Sequence, residues 1–199
     1  MRLILASNSS IRKSIFDMIG WKYEVIPSNI EENSSSTSPE QYVIDLSRDK
    51  ANSVVSQIND KALIVSADTI IYMNNEKFEK PKTKEEAFEF MKKMSRQVTY
   101  GVTGVTIKDL YQNKEISFAD TTEVHFKHIS DKDIRWYVEN EKNILARAGY
   151  ALGGKASLFT DKIIGDFYNV LGLPISKLYS KLNELGYSIS DFDMKDSML

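Results

Sequence analysis

Two neighbouring stretches, 98–108 and 115–127, alternate apolar with polar residues over long runs. Such alternation places every second side chain on the same face of a strand, so each stretch predicts a long, half-buried β-strand. The residues 112–114 between them suit a hairpin turn. Two long adjacent strands of this kind indicate an antiparallel portion of a sheet.

Helical and strand patterns interleave in the rest of the chain, without an internal repeat. We therefore expect an α/β fold in which helices flank a mixed β-sheet. The stretch 61–73 is either one strand or two strands joined by a kink. Helical spacing and capping signals predict helices over 11–19, 39–59, 84–95, 131–140 and 174–185, and apolar runs predict further strands over 3–6, 23–26 and 159–164.

Composition excludes several classes of function. The 199 residues carry a net charge of −2, which gives no support for binding DNA or RNA. A near-neutral chain can still contain a local basic cleft that binds a small anion. The absence of cysteine excludes disulfides, thiolate catalysis and cysteine-based metal sites. Since no signal-peptide core or membrane-spanning run is visible, we expect a cytoplasmic protein that binds neither nucleic acid nor membrane.

Asp68 interrupts the apolar stretch 61–73. Burying an ionised carboxylate without partners is expensive, so the side chain should be hydrogen-bonded, paired with a cation or bound to a metal. Alternatively, Asp68 caps a turn where the strand leaves the sheet. The sequence leaves both interpretations open.

Lys50 lies seven residues after Val43 and four after Leu46, on the apolar face of the predicted helix 39–59. An inward lysine normally binds an anion. The commoner arrangement on pattern alone is a packed aliphatic stem whose ammonium reaches water.

Arg12 and Lys13 fall in the first turn of the first helix. Cations there oppose the helix dipole by about 0.3–1 kcal/mol each when exposed. A bound phosphate would reverse that sign, and the hydroxyls of Ser7, Ser9 and Ser10 would add donors to the same turn. The alternative is a solvated basic helix start.

Other polar motifs favour simpler interpretations. Residues 153–155 lack the spacing of a phosphate-binding loop and predict a turn. His125 and His128 have no evident third metal ligand and are expected at the surface. Glu31 and Glu32 lie in a serine-rich loop, where solvation is the default and a hard-cation site the alternative. No serine or histidine triad can be assembled, and the remaining carboxylates, lysines and arginine suit metal-assisted phosphoryl chemistry.

Five motifs in the same order and spacing resemble those of the Maf family. The first resembles the family opening L-I-L-A-S-x-S-P-R-R, and the last closely matches G-D-Y-Y-N-V-V-G-L-P. The resemblance extends from residue 2 to about residue 186. The motifs are 3–9 with Arg12, 66–69, 80–82, 95–105 and 165–174.

The resemblance implies an elongated mixed α/β fold with two lobes and a central cleft, shared with inosine-triphosphate pyrophosphatases. It implies one domain over 1–187, followed by an acidic tail over 188–199. The implied activity is hydrolysis of a nucleoside triphosphate to the monophosphate and pyrophosphate with Mg²⁺ or Mn²⁺, in a homodimer. Because the family name is tied to septum formation, the alternative is a non-catalytic, nucleotide-binding regulator of cell division that acts through a protein partner.

The resemblance also implies roles for particular carboxylates. Asp68 matches the family's proton acceptor and would activate the attacking water directly or through a metal. Glu31 or Glu32 matches the acidic loop, so these side chains and Asp68 would hold the divalent cation.

Four further positions match the polar and basic residues that line the family's cleft. They are Ser7, Arg12, Lys50 and Lys80. The three cations among them would hold the triphosphate and offset the charge that develops on the leaving pyrophosphate.

Two departures from the family pattern concern the nucleobase. Ser10 and Ile11 replace a proline and an arginine, and Gly153 replaces the glutamine of the pyrimidine-selective branch. Thr69 fits that branch, whereas the 7-methyl-GTP branch carries glutamine at this position. Since arginine and glutamine are candidate base-reading groups, we hypothesise relaxed selectivity or a preference for a modified base.

Overall fold

The structure is a computed structural model that describes residues 1–31, 33–74, 76–146, 150 and 152–192. It confirms the predicted α/β fold with a mixed sheet. The strands are β1 (Leu3–Leu5), β2 (Glu24–Val25), β3 (Leu63–Met73), β4 (Glu76–Phe78), β5 (Val98–Asp109), β6 (Lys114–Phe126) and β7 (Thr160–Ile164). The α-helices are α1 (Ser10–Met18), α2 (Pro39–Val55), α3 (Lys84–Met94), α4 (Asp131–Asn140), α5 (Phe167–Leu171) and α6 (Ile175–Glu184).

Most predicted elements are present, with shifted ends. The stretch 61–73 forms the single strand β3, and α2 ends at Val55 rather than near residue 59. The strand β4 and the helix α5 were not predicted. Short 3₁₀ segments occupy Ile144–Ala146, Lys155–Phe159 and Ile189–Asp191.

Side-chain caps begin four of the helices, as the sequence signals indicate for three of them. Each hydroxyl accepts a hydrogen bond from the backbone N–H three residues later, which satisfies a donor that the helix itself leaves unpaired. The capping residues are Ser9 of α1, Ser38 of α2, Thr83 of α3 and Ser130 of α4.

The sheet has the strand order β2-β1-β3-β5-β6-β7, and β4 pairs with β3 beside this path. β1 runs parallel to both β2 and β3, whereas β4 is antiparallel to β3 and β7 is antiparallel to β6. In the β1–β3 register, Leu5 lies beside Val65, and the backbone N–H of Ala6 donates to the Val65 carbonyl at 2.8 Å. The carboxyl ends of β1 and β3 therefore point the same way.

The chain divides into two compact units. The first consists of Met1–Asp68, Thr103–Asp120 and the described residues of Gly172–Leu199, and the second of Thr69–Val102 and Thr121–Leu171. The boundary predicted between a domain over 1–187 and its tail stays a prediction, and residues 193–199 of that tail lie outside the described residues.

Each unit has its own hydrophobic core. In the first unit, α2 packs on β1 and β3 through fully buried Ala51, Val54, Ile4 and Ile64. In the second unit, α3 and α4 supply the fully buried side chains Met91, Met94, Ile134 and Tyr137. Burial of one large apolar side chain stabilises the fold by about 1.5–3 kcal/mol, so these cores fix where the helices lie.

Gly104 of β5 lets the backbone of α2 approach the sheet directly. A Cβ at this position would lie 2.3 Å from the carbonyl carbon and oxygen of Val43. Because backbone atoms cannot move aside as a side chain can, only glycine permits this depth of packing. The close approach sets the position of α2, which carries Lys50.

Gly104→Ala is therefore expected to destabilise the protein by about 2 kcal/mol or more, because overpacking displaces α2. Gly101→Ala is a matched control on the same strand, since its Cβ would contact only Val170, at 3.4 Å. Urea unfolding of both variants measures the difference. Equal stability losses would contradict this account of α2 packing.

Candidate active site

Lys50 of α2 and Asp68 of β3 form a buried ion pair. The lysine Nζ lies 2.5 Å from Asp68 Oδ1, and each side chain is 10% exposed. Asp68 lies within β3 rather than at a turn, and the Lys50 ammonium contacts a carboxylate. Both residues belong to the first unit.

This ion pair is a poor stabilising device. Removing two charges from water costs about as much as their attraction returns, so apolar residues of similar volume often stabilise a fold equally well. A buried carboxylate beside a buried cation, on a strand and a helix face that are otherwise apolar, is more typical of a functional site. The pair is thus the strongest indication of an active site in the first unit.

Buried hydroxyls hold α2 against the sheet next to the pair. Ser66 Oγ donates to the backbone carbonyl of Ser47 at 2.6 Å, and Ser47 Oγ lies 2.8 Å from Thr106 Oγ1. Ser47 precedes Lys50 by almost one helical turn, and Ser66 precedes Asp68 by two residues on the same face of β3. These bonds fix the register in which the lysine meets the aspartate.

The direction of the hydrogen bonds shows that this network holds the structure and does not conduct protons. Ser47 Oγ donates to the Ile44 carbonyl, so Thr106 must donate to Ser47. Ser117 Oγ lies 2.9 Å from Thr106 Oγ1 and 3.4 Å from Glu115 Oε1, so its one proton has two acceptors. The chain of donors ends on a carbonyl, which cannot pass a proton onward.

The turn after β1 carries Ser7, and the first turn of α1 carries Arg12. The paired register ends with Leu5 beside Val65, and its extension by two residues would place Ser7 beside Ala67, immediately before Asp68. Arg12 Nε donates to the Gly172 carbonyl at 2.8 Å, and a terminal guanidinium nitrogen donates to Ser7 Oγ at 3.3 Å. Ligands of α/β proteins bind at the carboxyl ends of parallel strands, and Ser7 and Arg12 follow the carboxyl end of β1.

The start of α1 adds positive potential near the carboxyl end of β1. Ser9 caps the helix, and no acidic residue lies in its first turn, which holds Arg12 and Lys13. The exposed backbone donors and the helix dipole both favour an anion at this position. Nucleotide phosphates are anions of the required kind.

The other predicted site residues in the described part of the chain are less buried than Lys50 and Asp68. Thr69 is half-buried in β3 and begins the second unit, and Lys80 is exposed after β4 in that unit. Glu31 is exposed between β2 and α2, whereas Glu32 lies outside the described residues. Roles for Lys80, Thr69 and these glutamates stay predictions.

The donor set suits a hard divalent cation that is shared with substrate. Within the described residues, no group of three histidine, aspartate or glutamate side chains could enclose a metal. Mg²⁺ usually binds through one or two carboxylates and completes its coordination with water and substrate phosphates. Asp68 and Glu31 are carboxylates of the required type.

Gly153 has a backbone that disfavours any side chain. Its φ is +84°, and a Cβ would lie 3.3 Å from Leu171 and 3.9 Å from Phe167. The glutamine expected from the pyrimidine-selective pattern would therefore be strained in this conformation. Two neighbours in the same motif, Gly149 and Ala151, lie outside the described residues.

Sequence reasoning overlooked the hydroxyls and the carbonyl that position the site. Ser47 and Thr106 fall on the buried faces of a predicted helix and a predicted strand. A hydroxyl on a buried face needs a hydrogen-bond partner, and this was the signal that could have identified both residues. The Gly172 carbonyl, which accepts from Arg12 across 160 residues, has no signature in sequence.

The α/β fold, the buried acid–lysine pair and the anion-favouring turn are compatible with an enzyme that acts on phosphoanhydrides. The sequence matches the Maf-like protein family over residues 2–185. This protein belongs to the Maf family, as the five sequence motifs predict.

Named relatives cover almost the whole chain. It is 38% identical over 182 residues to the dTTP/UTP pyrophosphatase of Thermoanaerobacter sp. (strain X514), covering 92% of this chain and 95% of the relative. It is 35% identical over 187 residues to the dTTP/UTP pyrophosphatase of Carboxydothermus hydrogenoformans, covering 94% of this chain and 100% of the relative. The Staphylococcus aureus Ham1 protein has a similar fold, with a TM-score of 0.51 at 15% identity, covering 93% of this chain and 100% of that one.

The part of the chain that the structure describes contains no helix that is both long enough and apolar enough to cross a bilayer.

Replacing one member of the ion pair by an uncharged side chain should leave the charge of the other member buried without its partner. Lys50→Met is expected to destabilise the protein by about 3–5 kcal/mol. The double variant Lys50→Met/Asp68→Asn should lose less unfolding free energy than the two single variants lose together. Urea unfolding of the wild type, the two single variants and the double variant measures this coupling.

The exposed pair Lys84–Glu139, at 2.6 Å with side chains 47% and 65% exposed, supplies a control cycle. Its coupling energy should be only about 0.2–1 kcal/mol because water screens it. Additive effects at Lys50 and Asp68 would contradict a tightly coupled buried pair.

Proposed function

We propose that this protein hydrolyses a nucleoside triphosphate to the nucleoside monophosphate and pyrophosphate. The observation that carries the proposal is the buried Lys50–Asp68 pair, which belongs to the same unit as the anion-favouring turn with Ser7 and Arg12. The names of the relatives support the same reaction. The enzyme would act on a phosphoanhydride without a covalent intermediate.

Asp68 is the proposed general base. Its carboxylate would accept a proton from water while the water oxygen bonds to the α-phosphorus. The bond from that phosphorus to the bridging oxygen would break, and pyrophosphate would leave with the bonding electrons. Lys50 contacts the Asp68 carboxylate and would stabilise the negative charge that gathers on the phosphate oxygens.

The start of α1 is the proposed phosphate-binding element. Arg12 is held by Gly172 and Ser7, which orients its guanidinium before substrate arrives. Such orientation lowers the entropy lost on binding. Lys80 is proposed, on the family resemblance alone, as a further cation for the triphosphate.

A divalent cation, Mg²⁺ or Mn²⁺, is part of the proposal. Asp68, with Glu31 or Glu32, would hold it. The cation supplies charge neutralisation for the phosphate oxygens. We also propose a cytoplasmic homodimer that binds no nucleic acid, on the basis of the family resemblance and the net charge of −2.

The nucleobase preference is proposed to be broader than the names of the relatives suggest, or directed to a modified base. Thr69 agrees with the pyrimidine-selective pattern. Ile11 and Gly153, however, lack the hydrogen-bonding groups of that pattern, and the left-handed backbone of Gly153 accounts for the missing side chain. A site without such groups discriminates weakly between bases.

Asp68→Asn should lower the rate of pyrophosphate release about 10²–10⁴-fold, because the amide cannot accept the proton. Nucleotide binding should persist. Asp60→Asn is the control, since that side chain is 85% exposed. A non-catalytic regulator would instead show no pyrophosphate release in the wild type and unchanged nucleotide binding in the variant.

Steady-state rates on dTTP, UTP, CTP and 7-methyl-GTP, each with Mg²⁺ or Mn²⁺, test the base preference. We expect kcat/KM values within about tenfold of each other, or a maximum on the modified base. Without hydrogen-bonding groups that read the base, the site loses most of its discrimination between bases. A strong preference for dTTP and UTP over all others would exclude relaxed selectivity.

A further inference from the structure

The segment between β2 and α2 contains neither helix nor strand in its described residues, yet it is tied to α2 at two levels and to Gln57, just beyond the end of α2, at a third. The ties are hydrogen bonds. They are Gln57 Nε2 to the Pro27 carbonyl at 3.5 Å, the Asn29 N–H to Ser53 Oγ at 3.4 Å, and the hydroxyls of Ser34 and Ser36 to Asp45 Oδ2 at 2.9 and 2.6 Å.

The order of the ties shows that the segment runs antiparallel to α2. Their partners run backwards along the chain, from Gln57 beyond the end of α2 to Ser53 and then Asp45 within it, as the segment advances. At 1.5 Å per residue, Ser53 and Asp45 lie about 12 Å apart along the helix axis, a distance that the intervening segment spans easily. Glu31 lies between Asn29 and Ser34 in sequence, and Lys50 lies between their partners Ser53 and Asp45 on the helix.

Asp45 makes the strongest of these attachments. One carboxylate oxygen accepts both serine hydroxyls, and the other accepts Gln41 Nε2 at 2.7 Å and lies 3.8 Å from Arg48. Hydrogen bonds to a carboxylate are stronger than those between neutral groups, and the other two ties are neutral and long. The bonds from Ser36 and then Gln41 hold the pKa of Asp45 below its usual value, so Asp45 remains ionised at neutral pH.

We propose that Asp45 is a positioning residue: through Ser34 and Ser36 it holds the acidic loop along α2, so that Glu31 reaches the metal and phosphate site beside Lys50 and Asp68. The inference rests on the proposed function. Asp45 itself does not touch the reacting atoms. α2 thereby aligns two parts of the site, one from its buried face and one from its exposed side.

A purely structural role makes a different prediction. If Asp45 only stabilised the start of α2, its loss would lower stability without changing how tightly the protein binds a divalent cation. If it positions Glu31, its loss should weaken cation binding while the chemical step is preserved once the cation is saturating.

The test compares Asp45→Asn with Asp49→Asn, an exposed aspartate four residues later on the same helix. Amide hydrogen exchange of residues 28–37, measured without ligand, should be about tenfold faster in the first variant only. Titration with Mn²⁺ alone, followed by electron paramagnetic resonance, should show Kd raised at least fivefold. The Mg²⁺ concentration for half-maximal pyrophosphate release should rise equally, with kcat at saturating Mg²⁺ within twofold of wild type.

The double variant Ser34→Ala/Ser36→Ala removes the same bonds from the loop side and leaves α2 intact. It should reproduce every change seen in Asp45→Asn. Unchanged exchange in both variants would overturn the anchoring role, and faster exchange with unchanged Mn²⁺ affinity would overturn the link to the cation. Failure of the wild type to release pyrophosphate would defeat the proposed function instead, while the exchange and Mn²⁺ measurements would still decide the role of Asp45.

Discussion

The ion pair between Lys50 and Asp68 exists because α2 lies directly on the sheet. Neither charge could remain buried alone, and their partnership requires the helix backbone to approach β5 at Gly104, where any side chain would collide with Val43. The hydroxyl of Ser66 then fixes the helix register through a backbone carbonyl. Packing thus determines the electrostatics of the site, since a shift of one or two ångströms would separate the charges.

The residues that break a local pattern were the informative ones in the sequence. Asp68 stands in an apolar strand and Lys50 on an apolar helix face, and each conflict corresponds to half of the buried pair. Helix starts were equally legible, because the hydroxyl caps at Ser38, Thr83 and Ser130 have a fixed spacing from the donors they satisfy. Long alternating runs likewise predicted β5 and β6.

What the sequence could not show depends on tertiary contacts or on short elements. β4 and α5 have three and five residues, too few for a periodic pattern. Asp45 and Ser36 are polar residues in polar surroundings, so nothing in the sequence distinguishes their hydrogen bond from solvation. Gly153 shows the reverse case: its departure from the family pattern was visible, but the left-handed backbone that accommodates it was not.

The first unit is assembled from three stretches of chain that are far apart in sequence, and this has a consequence for biosynthesis. The contact between Arg12 and the Gly172 carbonyl joins residues 160 positions apart. Such a contact cannot form while the ribosome is still translating the middle of the chain, and closing so large a loop carries an entropic cost. A nascent or prematurely terminated chain therefore lacks the completed anion-binding turn, however well its early helices have formed.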